Sequence, residues 1–264
     1  MYRHLSDFFI FKLDIRLYCV VKVIVKHFVR KLLGIGLVGM LSMPVSYAAF
    51  TISPIRVDLT PKQKVVSLQV TNTSVEDISI QVNLVEWKQE QEKEFQDQIS
   101  RDVLVTPPIF KVEPQQTQIL RLGLRRPFDA TKELSYRLFL KEIEKPLPEN
   151  FQGFRMIQQV SLPVFVQPQQ IAQPQLQWRL QAQDQSSLKL SVENVGTAHS
   201  QMTELSLKFK DGEVLQKQGN FYVLPQGVLS WMIPKKLKVS VGESVELSII
   251  TPKQTLKQQM IIEP

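Results

Sequence analysis

Apolar and polar residues alternate with a period of two along most of the chain beyond residue 50. In residues 55–59, 66–70 and 78–84, every second position is Ile, Val or Leu. This alternation is typical of β-strands that bury one face and leave the other face in solvent. Further runs of this kind are residues 117–124, 135–143 and 154–166. Together they predict a series of about seven short strands before residue 167.

A second series of alternating runs follows a stretch that is rich in proline and glutamine. Residues 168–174 lack the alternation and contain Pro168 and Pro174, which predicts a linker. The later runs are residues 176–182, 188–193, 202–209, 221–224, 228–233, 236–241, 244–250 and 260–262. No segment combines a helical period with helix caps. The count and spacing of the strands predict an all-β chain with two immunoglobulin-like β-sandwich domains, residues 49–167 and 175–264.

The first 48 residues have the features of a cleavable signal peptide. Residues 33–44 are a short apolar run that basic residues precede, and Ser46 and Ala48 supply the small side chains that a cleavage site requires. We expect cleavage after Ala48 and no stable insertion into the membrane, because about a dozen apolar residues fall short of the ~20 that span a bilayer. A retained signal anchor is the alternative. The unusual length of the segment also fits a translation start downstream of Met1.

Removing this segment changes the charge of the protein. The whole chain has a formal charge of +7, but the first 48 residues hold seven of its 32 Lys and Arg and two of its 25 Asp and Glu, which leaves +2. Such a near balance removes the electrostatic case for nucleic-acid binding. The remainder contains no cysteine and one histidine, His199, so a Cys/His zinc site is excluded. We expect neither a metal nor a cofactor.

Catalytic motifs are scarce. A Ser-His-Asp hydrolase would have to use His199, which lies in residues 195–200, a sequence typical of a turn, with no nucleophile elbow nearby. Glu142 and Glu144 would share one face of a strand without any sign of a pocket. The few scattered glycines form no phosphate-binding loop. We expect that the protein is not an enzyme, and a secreted hydrolase remains an alternative that depends on His199.

An ordered set of short motifs resembles the periplasmic pilus chaperones, the PapD-like family of the chaperone–usher pathway. The motifs are residues 53–59, 72–74, Trp87, residues 103–110, 118–121, 133–138, 141–143 and 161–166, followed by residues 222–225 and Trp231. The Tyr136-Arg137 pair and residues 162–165 are most similar to the archaic branch, which serves spore-coat-U-like pilins. The resemblance covers essentially all of residues 49–264. It implies that the two sandwiches form an L- or boomerang-shaped arrangement in the periplasm.

The resemblance also implies a function. A pilin subunit lacks its last strand, and the chaperone fills the exposed apolar groove with a strand of its own before it delivers the subunit to an outer-membrane usher. In this sequence the donor strand would be residues 154–162. Its residues of one parity are Phe154, Met156, Gln158, Val160 and Leu162. The alternative is an ordinary edge strand whose apolar face packs on its own core.

Members of the family hold the terminal carboxylate of the subunit with basic residues in the cleft between the domains. Arg56 matches their first-strand arginine. Their lysine on the donor strand would fall at Pro163, so the usual pair is incomplete here. Arg137, in the neighbouring strand, is our first choice for the replacement, and Arg121 and Lys141 are weaker candidates. For each of the four, the alternative is an ordinary surface charge.

Two turns depart from the family pattern. Gln115-Gln116 stands where a glycine is usual, and Gly227 comes one place late after Gln226. A different class of function is also open, namely a structural or adhesive two-domain surface protein that remains in a fibre. The chain favours the chaperone, because a pilin would need a donor extension before its first strand. Here that strand begins about four residues after the expected cleavage site.

Overall fold

The computed structural model describes residues 49–90, 93–96, 98–146, 152–154, 156–234 and 238–264, and these residues belong to one compact unit. The predicted signal peptide, residues 1–48, lies outside the described residues. Every helix-or-strand element in the described ranges is a β-strand. In the first half they are β1 (Phe50–Ser53), β2 (Val57–Leu59), β3 (Val65–Asn72), β4 (Ile78–Glu86), β5 (Lys88–Glu90), β6 (Lys93–Phe95), β7 (Val103–Thr106), β8 (Ile109–Val112), β9 (Thr117–Leu124), β10 (Leu134–Glu142) and β11 (Gln159–Val166). In the second half they are β12 (Leu176–Ala182), β13 (Ser187–Asn194), β14 (Ser200–Lys208), β15 (Val214–Val223), β16 (Val228–Pro234), β17 (Ser244–Ile250) and β18 (Thr255–Glu263).

The first half of the described chain is a sandwich of two sheets. One has four strands in the order β1-β3-β9-β7, the other has five in the order β2-β11-β10-β4-β8, and β5 and β6 form a separate hairpin. Apolar residues at alternate positions bury the face between the sheets, as with Tyr136, Leu138 and Leu140 on β10. The residues between them on β10 therefore point to the opposite face, and this outer face carries the site described below.

The second half forms one seven-stranded sheet that folds around its own core. Its order is β15-β14-β17-β18-β12-β13-β16, with β12 and β18 parallel. Fifteen buried apolar residues, among them Leu180, Leu190, Met202 and Leu247, form this second core. The prediction of an all-β chain with two β-sandwiches is confirmed.

The chain crosses between the two sheets of the first sandwich near its start. Strand β1 pairs with β3, whereas β2 runs parallel to β11 in the other sheet. The prediction of one strand over residues 55–59 is therefore wrong at its beginning, since the strand starts at Val57 and Ile55 is 75% exposed. The crossing follows Pro54, which has no N–H group to donate to a ladder.

Three other segments differ from the sequence prediction. The glutamine-rich composition of residues 89–98 is typical of a solvated loop, but this stretch contains most of hairpin β5–β6. The described part of the predicted strand 236–241 has no strand, although Val239 is buried. The run at residues 260–262 belongs to the longer strand β18, whose first half is exposed and polar and is held by its ladder with β17. A strand that is held by backbone hydrogen bonds alone needs no buried apolar face, so its sequence shows no apolar pattern.

Gln115 and Gln226 adopt left-handed backbone conformations, with φ of 60° and 64°, at the two turns where this chain lacks or displaces a glycine of the family pattern. In this backbone region a residue with a side chain lowers the free energy of unfolding by roughly 1–2 kcal/mol relative to glycine. Glycine has the greater entropy in the unfolded chain, which offsets about half of this difference. We expect Gln115→Gly to raise the free energy of unfolding by roughly 0.5 kcal/mol, measured by denaturant titration. Gln116→Gly is the matched control and should lower it, because Gln116 lies outside that region.

Candidate functional site

Three aromatic side chains from both sandwiches meet in one buried cluster. Trp87 follows β4, Phe165 lies on β11 and Tyr222 lies on β15. The ring centres of Trp87 and Tyr222 are 5.4 Å apart in an edge-on arrangement, and those of Phe165 and Tyr222 are 5.7 Å apart. All three residues are at most 5% exposed. Aromatic packing at these separations is favourable, so the cluster ties the two sandwiches together.

Strand register arranges the surroundings of this cluster in two rows on the outer face of the five-stranded sheet. The Trp87 N–H donates to the Ser135 carbonyl at 3.0 Å, and Ser135 pairs with Phe165, so these residues form one row across β4, β10 and β11. In the next row Arg137 pairs with Pro163. Arg137 thus lies directly opposite Pro163, the position for which the sequence resemblance implies a lysine.

Arg137 is a half-buried cation that forms no ion pair with the residues that the structure describes. Its guanidinium carbon lies 3.6 Å from the centre of the Trp87 ring and 5.9 Å from that of Tyr222. Its Nε is buried and has no hydrogen-bond partner among the described residues. Burial lowers the pKa of Arg137, and attraction to Glu94 and Tyr222 offsets only part of this effect. The stack on tryptophan holds the guanidinium in place, but its positive charge remains available.

Arg56 lies just before β2, on the other side of Phe165. Its guanidinium carbon is 5.5 Å from the Phe165 ring centre, and its Nε donates to Asp58 Oδ2 at 2.8 Å. A longer bond of 3.4 Å joins Arg56 Nη1 to Gln201 Oε1 in the second sandwich. Burial alone would lower the pKa of Arg56, but hydrogen bonding and attraction to Asp58 raise it above its usual value. Arg56 is therefore already paired, unlike Arg137.

The two weaker candidates lie elsewhere. Arg121 is an exposed residue of β9, in the four-stranded sheet, where it pairs with Ser67 and Thr106. Lys141 is exposed at the far end of β10, opposite Gln159. The structure brings Arg56 and Arg137 to the same aromatic cluster and places neither Arg121 nor Lys141 there.

His199 forms a contact between the sandwiches. Its Nδ1 lies 2.6 Å from Glu133 Oε1, and its backbone N–H donates to the same oxygen at 3.0 Å. Its ring stacks flat on Phe165 with centres 3.6 Å apart. The Glu133 N–H in turn donates to the Thr197 carbonyl. These contacts give His199 a structural explanation. The Nδ1 atom and one face of the ring of this histidine, on which a hydrolase would depend, are already occupied.

Gln89, which the sequence placed in a solvated loop, is 4% exposed and joins the two sandwiches. Its Nε2 donates to the Tyr222 carbonyl at 2.7 Å, and its Oε1 accepts from the Leu224 N–H at 2.9 Å. The amide side chain thus pairs with the backbone of β15 as a strand would. Its fit requires Gly227, because a Cβ there would collide with Gln89 Oε1. No alternation or motif in the sequence marks this contact.

Gly227→Ala is expected to lower the free energy of unfolding by about 1–3 kcal/mol, because overpacking of this size forces neighbouring atoms to shift. The cost should shrink in a Gln89→Ala background, where the colliding oxygen is absent. Gly123→Ala is the matched control, since the nearest atom to its Cβ would lie at an ordinary 3.5 Å. Denaturant unfolding of the four variants measures these differences. Equal costs in both backgrounds would show that Gln89 does not cause the strain.

The candidate donor strand falls into two parts. Phe154 is fully exposed and Met156 is 83% exposed, and neither lies in a ladder. The Gln158 side-chain amide exchanges two hydrogen bonds of 3.2 Å with the Phe50 backbone. Val160 packs against the core of the first sandwich, and Leu162 is buried within it. The predicted strand over 154–162 thus begins only at Gln159, where the ladder with β10 starts.

One edge of β11 is only partly covered. Strand β2 pairs with it in parallel at Val164, Phe165 and Val166, while the ladder with β10 runs along the whole opposite edge. Among the described strands, none pairs with the β2 side of Gln159 through Pro163. This stretch therefore offers backbone groups for a further strand, which would lie in line with β2 and end where β2 begins.

A cleft of about 1010 Å³ opens beside Arg56. It is lined by residues of both sandwiches and of the segment that joins them, including Asp58, Trp178, His199, Gln201 and Leu256. Among the described residues, no group of three or more His, Cys, Asp or Glu could hold a metal ion. The structure describes no helix long and apolar enough to cross a membrane.

Residues 49–172 match the family model of the pili and flagellar-assembly chaperone, PapD N-terminal domain. The matched residues include the whole first sandwich, and the match covers a little under half of the chain. A comparison with curated proteins finds no match.

Solved structures of pilus chaperones share the fold. A chain of the CsuC–CsuE chaperone–tip subunit pre-assembly complex from the archaic chaperone–usher Csu pili of Acinetobacter baumannii is 22% identical, with a TM-score of 0.61 over 81% of this chain and 98% of that chain. The CupB2 chaperone of Pseudomonas aeruginosa is 19% identical, with a TM-score of 0.52 over 80% and 100%. A chain of the Salmonella enterica SafA pilin–SafB chaperone complex is 17% identical, with a TM-score of 0.55 over 83% and 98%. These likenesses show that the chain shares the fold of the solved chaperones.

Proposed function

We propose that this protein is a periplasmic chaperone that binds pilin subunits by donor-strand complementation and delivers them to an outer-membrane usher. The observation that carries the proposal is the pair of exposed apolar side chains, Phe154 and Met156, just ahead of a strand whose edge is half open. Exposed large apolar residues beside unpaired backbone groups are an aggregation hazard unless a partner covers them. An incomplete pilin sandwich provides the matching groove.

The donor segment in this proposal is shorter than residues 154–162. Phe154 and Met156 would enter the groove of the subunit, and the backbone from Gln159 to Pro163 would pair with its last strand. Val160 and Leu162 remain in the chaperone, because Leu162 is buried in the first sandwich and Val160 already packs against its core. Gln158, bonded to Phe50, marks the change from one role to the other.

The position of β2 supports a register for the complex. The subunit strand would run parallel to β11, in line with β2, and its carboxyl end would meet the start of β2 at Val57. Arg56 precedes Val57, and Arg137 lies opposite Pro163, at the last open position of β11. We propose these two arginines as the anchor of the terminal carboxylate, with Arg137 supplying the unpaired charge.

The remaining assignments belong to the same proposal. Residues 1–48 would be the signal peptide, 49–167 and 175–264 the two domains, and 168–174 the linker. The linker is anchored at both ends, since Gln169 donates to the Asp129 carbonyl and Thr197 donates to the Gln173 carbonyl. The Tyr136-Arg137 pair and residues 162–165 favour the archaic branch.

Tagged protein, expressed with its leader in the bacterium that carries it, tests the function. Recovery from the periplasm should yield a one-to-one complex with a small exported β protein, identified by mass spectrometry, and Met156→Asp should lose that protein. Presence of the tagged chain in sheared surface fibres would favour the structural alternative. Recovery of the wild type alone, with or without fibre material, would overturn the chaperone proposal.

A further inference from the structure

The four methionines of residues 49–264 differ sharply in their exposure to solvent. Met202 is fully buried and Met260 is 8% exposed, and both belong to the core of the second sandwich. Met232, on β16, is 61% exposed, and Met156 is 83% exposed. Because residues 49–264 include no cysteine, the thioethers of these methionines are their only sulfur atoms and their most readily oxidised groups. A peroxide in solution therefore reaches Met156 and Met232, whereas packing protects the other two methionines.

The Met156 side chain belongs to neither hydrophobic core of the described structure. It lies outside every described strand, three residues before the ladder of β11 begins at Gln159. The Gln158 side chain is bonded to the Phe50 backbone, which holds the chain two residues beyond Met156. Residues 151–163 contain no other methionine and no cysteine. A peroxide therefore oxidises one atom of this segment, Met156 Sδ, and the change leaves the packing of both cores as it was.

The reaction is a two-electron oxidation of the thioether. A lone pair of the sulfur attacks one oxygen of hydrogen peroxide, the O–O bond breaks, and the products are the sulfoxide and water. A thiol-dependent sulfoxide reductase reverses the change, since two thiols are oxidised to a disulfide and the oxygen leaves as water. Oxidation thus converts an apolar, flexible side chain into a polar one that carries a strong hydrogen-bond acceptor.

We propose that Met156 is an oxidation site that switches off the capture of subunits. This inference rests on the proposed function, in which the Met156 side chain enters an apolar groove of the subunit. In solvent the sulfoxide oxygen accepts hydrogen bonds from water, but an apolar groove has no donor to replace them. Oxidation therefore weakens the complex without destabilising the free protein. A bound subunit covers Met156 Sδ, so the oxidant inactivates the empty chaperone and not the chaperone that already holds a subunit.

The first measurement needs no subunit. Protein exported to the periplasm of a host bacterium that lacks pili is treated with hydrogen peroxide, and mass spectrometry of its peptides follows the sulfoxide at each methionine. We expect Met156 and Met232 to be oxidised at least tenfold faster than Met202 and Met260, with thermal unfolding unchanged. Oxidation of Met156 as slow as that of Met202 would overturn the proposal, because the site would then be closed in the folded protein.

The second measurement compares capture before and after oxidation. The probe is the small exported β protein that accompanies the wild-type chain in its own bacterium, diluted from denaturant into oxidised or untreated protein. We expect oxidation to reduce capture at least tenfold and reductases for both sulfoxide epimers to restore it. Capture by Met156→Leu, which has no sulfur at this position, should be equal before and after the peroxide. Met232→Leu is the matched control and should lose capture on oxidation as the wild type does.

The third measurement uses the complex formed before the peroxide is added. Met156 should be oxidised at least tenfold more slowly in the complex than in the free protein, while the rate at Met232 stays the same. An equal rate at Met156 in both samples would overturn the proposal, because the subunit would not cover this side chain.

The failure of this inference differs from the failure of the proposed function. Equal capture by oxidised and untreated wild-type protein would refute the switch and leave the chaperone proposal standing. An equal loss of capture in Met156→Leu and in the wild type would also refute the switch, because another residue would then cause the loss. If the untreated protein captures no subunit, the chaperone proposal is refuted and the switch falls with it.

Discussion

Met156→Asp is expected to abolish subunit capture, lowering the affinity at least 100-fold, while the protein stays folded. The Met156 side chain is 83% exposed and outside any ladder, so the free energy of unfolding should change by less than about 0.5 kcal/mol. In the complex the same position would be buried in an apolar groove. An unpaired carboxylate there loses its hydration without compensation, which costs several kcal/mol. Quantitative pull-down from the periplasm and thermal unfolding measure the two effects.

Val75→Asp is the matched control for this experiment. Val75 is 91% exposed in the turn between β3 and β4, remote from the proposed donor segment in the chain, so the same charge there should leave capture unchanged. Met156→Leu should also retain capture, because the groove requires an apolar side chain of similar volume. Wild-type capture by Met156→Asp would mean that Met156 does not enter the groove.

Arg137→Ala is expected to reduce subunit capture by about 10- to 100-fold, since a hydrogen bond to a charged group contributes about 1.5–3 kcal/mol. Stability should change little. The variant loses a cation–π contact of about 1 kcal/mol, but it also removes a partly buried cation for which the described part of the chain provides no ion pair. If Arg137 had only a structural role, Arg137→Ala would instead lower the stability, and capture would fall only because less of the protein is folded.

Two further substitutions sharpen this test. Arg137→Lys keeps the charge but loses the planar fork, so it should recover only part of the capture. Arg121→Ala, on the four-stranded sheet, should behave as wild type. Arg56→Ala should also weaken capture, although it leaves Asp58 without its partner and therefore perturbs the free protein too. Full capture by both Arg137→Ala and Arg56→Ala would refute the assignment of the anchor.

Period-two alternation predicted the strands well wherever one face is buried by the other sheet. Tyr136, Leu138 and Leu140 are such positions, and β10 lies within one residue of its predicted bounds. The pattern misled at Ile55, because a chain that crosses between sheets can keep its alternation while the residue points into solvent. It also extended the proposed donor strand back to Phe154, because in sequence an exposed apolar side chain looks the same as one that packs in the core.

Contacts between the two sandwiches were beyond sequence reasoning. Gln89 is a glutamine among glutamines, and its burial depends on the backbone of Tyr222 and Leu224, more than 130 residues away. His199 drew attention as a lone histidine, but its partner Glu133 lies in another domain. The sequence placed Arg137 in the strand next to the one that holds Pro163, but its position directly opposite Pro163 and its stack on Trp87 depend on the strand register.

The residue at which β2 begins to cover the edge of β11 defines a fixed distance from Met156. Val164, the first residue that β2 covers, is eight residues beyond Met156, or about 26 Å along an extended strand. In the proposed pairing, the carboxyl terminus of the subunit lies next to the start of β2. The pocket of the subunit must therefore lie at this distance from its carboxyl terminus to receive Met156. Inserting two residues between them would preserve the facing of every side chain yet move the pocket out of reach. On this proposal, the wild-type protein selects subunits by the length of their last strand rather than by the sequence of that strand.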